Sequence, residues 1–126
     1  MRILVIGATG FIGKYYKKYT KNKKVFFTST KKRKDYIKFD LRKDKIEKIL
    51  IKKKITKVVF LSAISNPFEC ESFKKKSNLI NVIYTKELIN LLIKKNIYFV
   101  FFSLEYIFDG KKGNYSEKSK INSKIL

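Results

Sequence analysis

The string Gly7-Ala8-Thr9-Gly10-Phe11-Ile12-Gly13 closes one kind of pattern and opens another. Before it stands RILVIG (2–7), short, branched and nearly all apolar, which reads as a strand buried on both faces. After it Phe11, Ile12, Tyr15, Tyr16 and Tyr19 recur at helical spacing. A strand must therefore run into a helix through a turn almost free of side chains, and few backbone paths do that. Gly7 is expected to make the tight turn, and Gly10 to let a pyrophosphate approach the backbone. Gly13 should let the helix pack against the sheet. The first helical turn would then offer free N–H groups and the positive end of the helix dipole to the phosphates. Gly7, Thr9, Gly10, Phe11, Ile12 and Gly13 are the candidate phosphate-side residues. A strand-to-helix turn with no ligand is the alternative that the string alone leaves open.

The rest of the chain repeats the alternation. VFFTST (25–30) reads as a second strand, DYIKFD (35–40) as a short third, KVVFLSA (57–63) as a fourth and IYFVFFSL (97–104) as a fifth. Between them lie a lysine-coated helix at 43–54 with Ile46, Ile49 and Leu50 on one face, and a long helical pattern from about 69 to 95. Leu79, Val82, Ile83 and Leu92 are inward candidates of the long helix. Strands separated by helices pair in parallel, because a parallel partner requires a crossover. Right-handed crossovers then predict an α/β fold, a doubly wound parallel sheet (Rossmann fold) of strand order 3-2-1-4-5. No linker or repeat divides residues 1–126, so one domain is expected.

Composition narrows the class. At 126 residues a single domain buries roughly 65% of its unfolded surface, and 44% hydrophobic content is that of a globular chain. No apolar run approaches the about 20 residues of a membrane helix, nor is there a signal-peptide pattern. The single cysteine, Cys70, cannot form an internal disulfide and fits a cytoplasmic setting. With no histidine, no metal site is expected. The net charge of +21 admits two accounts. One is a polyanion partner, since lysines neutralise phosphates. The other is A/T-rich codon usage, because Lys, Ile, Phe, Tyr and Asn make up 72 of the 126 residues. The basic runs at 31–34, 52–54, 74–76 and 111–112 fall on separate segments rather than one stripe. That favours the second account and gives no specific nucleic-acid partner.

The end of the second strand bears on which dinucleotide is bound. An acid there hydrogen-bonds the ribose hydroxyls of NAD, whereas a basic residue accommodates the 2′-phosphate of NADP. The stretch reads Thr28-Ser29-Thr30-Lys31-Lys32-Arg33-Lys34, with no acid before Asp35. NADP is therefore the expected cofactor, with NAD possible, and Lys32 or Arg33 facing the 2′-phosphate. One more lysine run in a basic chain is the competing account.

Four segments carry a resemblance that spans essentially the whole chain: GATGFIG at 7–13, FDL at 39–41, VVFLSAISNPFECE at 58–71 and SLEYIFDGKKGNYSE at 103–117. In these the chain resembles the extended short-chain dehydrogenase/reductases, the nucleotide-sugar epimerase and dehydratase superfamily, and within it the dTDP-4-dehydrorhamnose reductases. Tyr106-Ile107-Phe108-Asp109-Gly110, followed by Tyr115 and Glu117, is its most specific part. The resemblance implies that Asp40 reads the adenine amino group, next to Leu41, and that Ser62 and Ala63 line the cofactor, with Ser103 after the fifth strand. Glu69-Cys70-Glu71 matches an acid–small–acid stretch, and Asn81 an Asn early in the long helix.

The implied chemistry is hydride transfer from NAD(P)H to a keto-sugar nucleotide, in cell-surface sugar biosynthesis. Such chemistry needs a tyrosine proton donor, a lysine four residues on, and a Ser or Thr hydroxyl on the carbonyl. The lysine is needed because a free phenol, with pKa about 10, is a poor acid–base group near neutrality. The hydroxyl position falls on Leu104. A Tyr-x-x-x-Lys motif is not expected, the tyrosine–lysine runs at 15–19 and 84–86 lying on other helices. The family pattern puts the motif, a sixth strand and the substrate domain past residue 126. The expectation is thus the cofactor-binding part of a reductase, inactive as it stands.

Three readings from different classes remain: part of a nucleotide-sugar oxidoreductase, a non-catalytic nucleotide-binding or regulatory protein, and a basic polyanion binder that retains the fold. Binding of NAD(P)(H) is common to the first two. A nucleotide sugar becomes a partner only if a C-terminal half completes the site. The fifth strand, left as a long apolar edge, predicts self-association.

Overall fold

The alternating pattern produces a sheet of five parallel strands in a computed structural model that describes residues 1–104 and 107–122. The strands are β1 (Ile3–Ile6), β2 (Val25–Ser29), β3 (Ile37–Lys38), β4 (Lys57–Phe60) and β5 (Tyr98–Phe101). Their spatial order is β3-β2-β1-β4-β5, the Rossmann order expected. In register, Leu4 of β1 stands between Phe26 of β2 and Val58 of β4, which stands beside Phe99 of β5.

Successive strand residues face opposite sides, so the sheet sorts its apolar side chains into two layers. On one side Leu4, Ile6, Val58 and Phe60 pack with Leu50 of α2 (Glu47–Lys52) and with Leu88 and Leu92 of α5 (Thr85–Lys94). On the other, Val5, Val25 and Phe27 pack with Ala8 and with Tyr16 of α1 (Phe11–Tyr19). The second layer is thinner. Of the five residues at helical spacing, Phe11, Ile12, Tyr15 and Tyr19 are exposed, and Phe11–Tyr15 and Tyr15–Tyr19 form a ladder with centroids 5.0 and 6.2 Å apart. The contact of α1 with this layer is made by Gly13, which lies against Ala8, and by Tyr16, which is partly buried there.

Several elements are shorter than their patterns suggested. The third strand keeps only two residues, because the chain turns at Asp40, whose carbonyl accepts from Lys43 and Asp44 N–H at 3.0 and 2.9 Å. That turn also delays α2 to Glu47, and Lys54, at φ 49°, ends it. The fifth strand spans 98–101 rather than 97–104.

The long helix of 69–95 is four pieces. A helix α3 (Pro67–Ser72) stops at Phe73, whose φ of −126° and ψ of 52° break the spiral. Then come α4 (Lys74–Asn78), a π-helical stretch over Leu79–Tyr84, and α5. Each hydrogen bond in a π turn spans one residue more than in an α-helix, so the apolar positions change phase. Thr85 Oγ1 donates to the Ile80 carbonyl at 2.8 Å within this region. Leu79, Val82 and Ile83 consequently face outward, and of the four inward candidates only Leu92 is in the core.

Candidate functional site

The C-terminal ends of β1, β2 and β4 meet around the glycine turn, and the three glycines there serve different ends. Gly7 has φ +80°, and a Cβ on it would stand 2.6 Å from the Ser62 nitrogen. The turn therefore presses against the chain leaving β4. Gly13 is closed by the turn itself, since its Cβ would meet Ala8 Cα at 2.5 Å. Gly10 differs from both. Its φ of −72° and ψ of 178° suit any residue, and a Cβ there would meet nothing nearer than the Gly7 carbonyl oxygen at 3.4 Å. Gly10 starts α1 with no side-chain cap, and the first turn carries no acid. A free space thus faces the N-terminus of α1 where the chain's own packing does not ask for glycine.

A cavity of about 80 Å³ lies beside this turn, lined by Gly7, Thr9, Leu41 and Ser62 together with Ile6, Phe39 and the run Thr28-Ser29-Thr30. Four residues picked from the sequence are thus brought together. Thr28 to Thr30 were missed as site residues, although their place at the end of β2 signals it. Thr28 is held by its hydroxyl, which donates to the Val5 carbonyl at 3.1 Å. Lys32 and Arg33 are exposed on the loop to β3 and do not line the cavity. Asp40 is buried between its cavity-lining neighbours Phe39 and Leu41, and its carboxylate is held by Arg42. The guanidinium donates from Nε to Oδ1 at 2.9 Å and from Nη2 to Oδ2 at 2.6 Å. These charge-assisted bonds hold the Asp40 carboxyl down to a pKa of about 2. Arg42 is a further residue that the sequence reading passed over.

A larger cavity, about 500 Å³, opens past β4 and β5 between Ile64, Pro67, Cys70, Asn81, Val82 and Leu104. Asn81 orders its rim, pairing both amide atoms with the backbone of Ile64. Cys70 Sγ donates to the same carbonyl at 3.2 Å. Glu69 and Glu71 instead pair outward, with Lys76 at 3.0 Å and Lys74 at 3.8 Å. Ala63 and Ser103 are exposed, and Leu104 puts an alkyl group on the cavity wall.

No Tyr-x-x-x-Lys motif was expected, yet Tyr19 and Lys23 have that spacing. Tyr19 ends α1 and Lys23 lies in the turn before β2, at the opposite end of the sheet from the cavities. They are not one helix face, and nothing of the site reaches them. Tyr106, which carried part of the resemblance, lies outside the described residues. Phe108 does not enter the core but stacks on Tyr115, with ring centroids 4.5 Å apart. The Tyr115 hydroxyl donates to Asp109 Oδ1 at 2.6 Å, which pulls the Asp109 carboxyl below its usual range.

Against known proteins, residues 1–124 match the family described as RmlD substrate binding domain. The chain belongs to this family. Two solved structures agree with that membership. A hypothetical dTDP-4-dehydrorhamnose reductase from Sulfolobus tokodaii is 28% identical with a TM-score of 0.83, over 98% of this chain and 46% of its own. A dTDP-4-dehydrorhamnose reductase from Clostridium acetobutylicum is 27% identical with a TM-score of 0.83, over 98% of this chain and 43% of its own. A UDP-N-acetylglucosamine 4-epimerase from Methanobrevibacter ruminantium, 20% identical over 98% of this chain and 44% of its own, shares the fold with a TM-score of 0.80. No curated protein sequence matches. This RmlD-family chain spans less than half the length of the two reductases.

The glycine turn and the start of the β4 loop border one cavity at the carboxyl ends of the strands, with Gly7, Thr9 and Ser62 on its wall. That is where open α/β sheets bind ligands. Among the described residues there is no cluster of His, Cys, Asp and Glu able to hold a metal, and no helix long and apolar enough to cross a membrane.

Proposed function

We propose that residues 1–126 form one NAD(P)-binding domain of a nucleotide-sugar reductase, and that this chain binds the dinucleotide without turning over a sugar. The observation that carries the reading is Gly10. Packing explains glycine at 7 and 13, whereas the space in front of Gly10 is free, as a backbone that receives a pyrophosphate requires. The N–H groups of Phe11, Ile12 and Gly13 then meet the phosphates at the positive end of α1. The adenosine half runs past Thr28 to Thr30, Leu41 and Ser62. Ala63 and Ser103 flank the nicotinamide half.

Lys32 and Arg33 supply the preference for NADP over NAD. Both are exposed and free to swing onto a 2′-phosphate, and no acid stands on β2 to hold a ribose diol. A bound nicotinamide supplies the hydride, but Leu104 offers no hydroxyl to orient a sugar carbonyl toward it. The reaction, the sugar nucleotide and any cell-surface pathway therefore depend on residues other than these. A non-catalytic, regulatory nucleotide binder is the second reading, and Leu104 is the observation that favours it. Self-association through β5 and a cytoplasmic setting complete the proposal.

Fluorescence titration of the chain with NADPH and NADH tests it. NADPH is expected to bind at least tenfold more tightly, and Lys32→Ala/Arg33→Ala to erase that ratio. Equal affinities in the unaltered chain refute the NADP preference, and no binding of either refutes the domain assignment. Turnover of dTDP-4-dehydrorhamnose by the chain alone would refute the inert reading.

A further inference from the structure

Parallel strands all begin at one end of the sheet, and the segments that enter them meet there. Met1-Arg2 leads into β1, TKNKK (20–24) into β2, KKKITK (52–57) into β4 and KKNI (94–97) into β5. Their backbones are tied together: the Ile3 N–H donates to the Lys24 carbonyl at 3.0 Å, and the Thr56 and Lys57 N–H groups to the Arg2 carbonyl at 2.9 and 3.1 Å. Basic runs that are separate in sequence therefore become one surface, and no carboxylate side chain stands in any of these segments. The acids Asp40, Asp44, Glu69 and Glu71 lie past the other ends of the strands. Four adjacent strands about 4.8 Å apart spread these entries over about 15 Å.

Helix dipoles explain only part of this charge. α1, α2 and α5 end here, and a lysine in a last turn answers the negative end of its own helix, as Lys52 and Lys94 do. Arg2, Lys23, Lys24 and Lys57 are in no helix, and among the described residues none of them has a carboxylate partner. Beside them an aromatic face is open. Tyr98 is 62% exposed, with Lys57 Nζ 5.0 Å from its ring centroid. The ring lines a cavity of about 450 Å³ together with Ile93, Asn96, Ile97 and Phe99. Codon usage sets how many lysines a chain carries; the parallel topology decides that they gather beside this ring.

We propose that this end of the sheet binds single-stranded nucleic acid without sequence preference, at a site opposite the dinucleotide crevice. Phosphates run along the strand-entry lysines, and a base stacks on Tyr98. A duplex keeps its bases stacked on one another and an anionic membrane has none, so the exposed ring beside the cations favours a single strand. The inference stands independently of the dinucleotide reading.

Fluorescence anisotropy with a labelled oligothymidylate, repeated over a series of salt concentrations, tests it. K23E/K24E/K95E removes charge at this end, and K111E/K112E/K118E removes the same amount from the loop after β5. The first is expected to bind at least tenfold more weakly than the second, with a slope of log affinity against log salt shallower by about 2. Equal losses would assign binding to net charge and overturn the inference. Tyr98→Leu should weaken binding about fivefold or more without changing the salt slope, and an unchanged affinity overturns the stacked base. Should a reversed chain not fold, K23A/K24A/K95A and K111A/K112A/K118A are compared in the same way. Tighter binding to a duplex of equal length, or to phosphatidylserine vesicles, overturns the single strand. Displacement of the oligonucleotide by NADPH would place it in the crevice and overturn the site.

Discussion

Asn81 behaves toward Ile64 as a neighbouring strand would: its Oδ1 accepts from the Ile64 N–H at 2.8 Å and its Nδ2 donates to the Ile64 carbonyl at 2.9 Å. The loop leaving β4 is thereby tied to the π-helical stretch by a side chain that imitates backbone. Asn81→Leu keeps the volume but leaves the Ile64 N–H without its partner and the Ile64 carbonyl with only the Cys70 thiol. Unpaired groups of that kind cost about 1–3 kcal/mol. Urea denaturation followed by circular dichroism should show a loss in that range, and an unchanged midpoint would mean that the loop holds itself.

The glycine turn separates packing from ligand binding. Gly13→Ala drives a Cβ into the Ala8 backbone, so overpacking of about 1–3 kcal/mol is expected, more than the helix propensity of alanine returns. Gly10→Ala meets only the Gly7 carbonyl oxygen, at ordinary contact distance, and should change stability by less than about 1 kcal/mol. Its effect should instead fall on NADPH affinity, at least tenfold. If both variants lose stability equally, the space before Gly10 is not reserved for a ligand.

Acid should act on the Asp40–Arg42 pair. The folded-state pKa of Asp40 is about 2, below its ordinary value of 3.8. A depressed carboxylate contributes stability that is fully present above the unfolded pKa and is lost as pH falls through the folded one. The loss attributable to Asp40 therefore falls between about pH 4 and pH 2. Asp40→Asn should flatten stability across that window in denaturation curves collected at successive pH values. An unchanged slope would place the acid sensitivity on other carboxylates.

The edge strand predicts association. Among the described residues β5 pairs only with β4, while Tyr98, Val100, Phe101 and Phe102 are exposed. Open backbone groups beside such side chains invite pairing with another strand. The chain should form dimers or larger species in light scattering at tens of micromolar, more so at high salt, where repulsion between +21 charges is screened. Val100→Lys should return it to monomer. A soluble monomer in the unaltered chain would show that net charge already outweighs the apolar edge.

The sequence by itself determined the fold and the end of the sheet where a ligand can sit. Strand and helix periods alternate, and parallel strands allow few routes, so GATGFIG at the first junction fixed the position of the turn. Element lengths escaped because they depend on side chains distant in sequence. Asp44 capping Asp40 shortened β3 and delayed α2. The break at Phe73 and the π turn before Thr85 re-phased a helix that an α-period reads as continuous. The site was legible in part for the same reason. Gly7, Thr9, Leu41 and Ser62 follow from their places after strands, and the structure gathers them. That Asp40 belongs to Arg42, that Thr28 is tied to Val5, and that of the three glycines of the turn Gly10 is the one facing open space were decided only in three dimensions. Hydrogen-bond partners and free volume are properties of neighbours in space, and a local period carries no record of them.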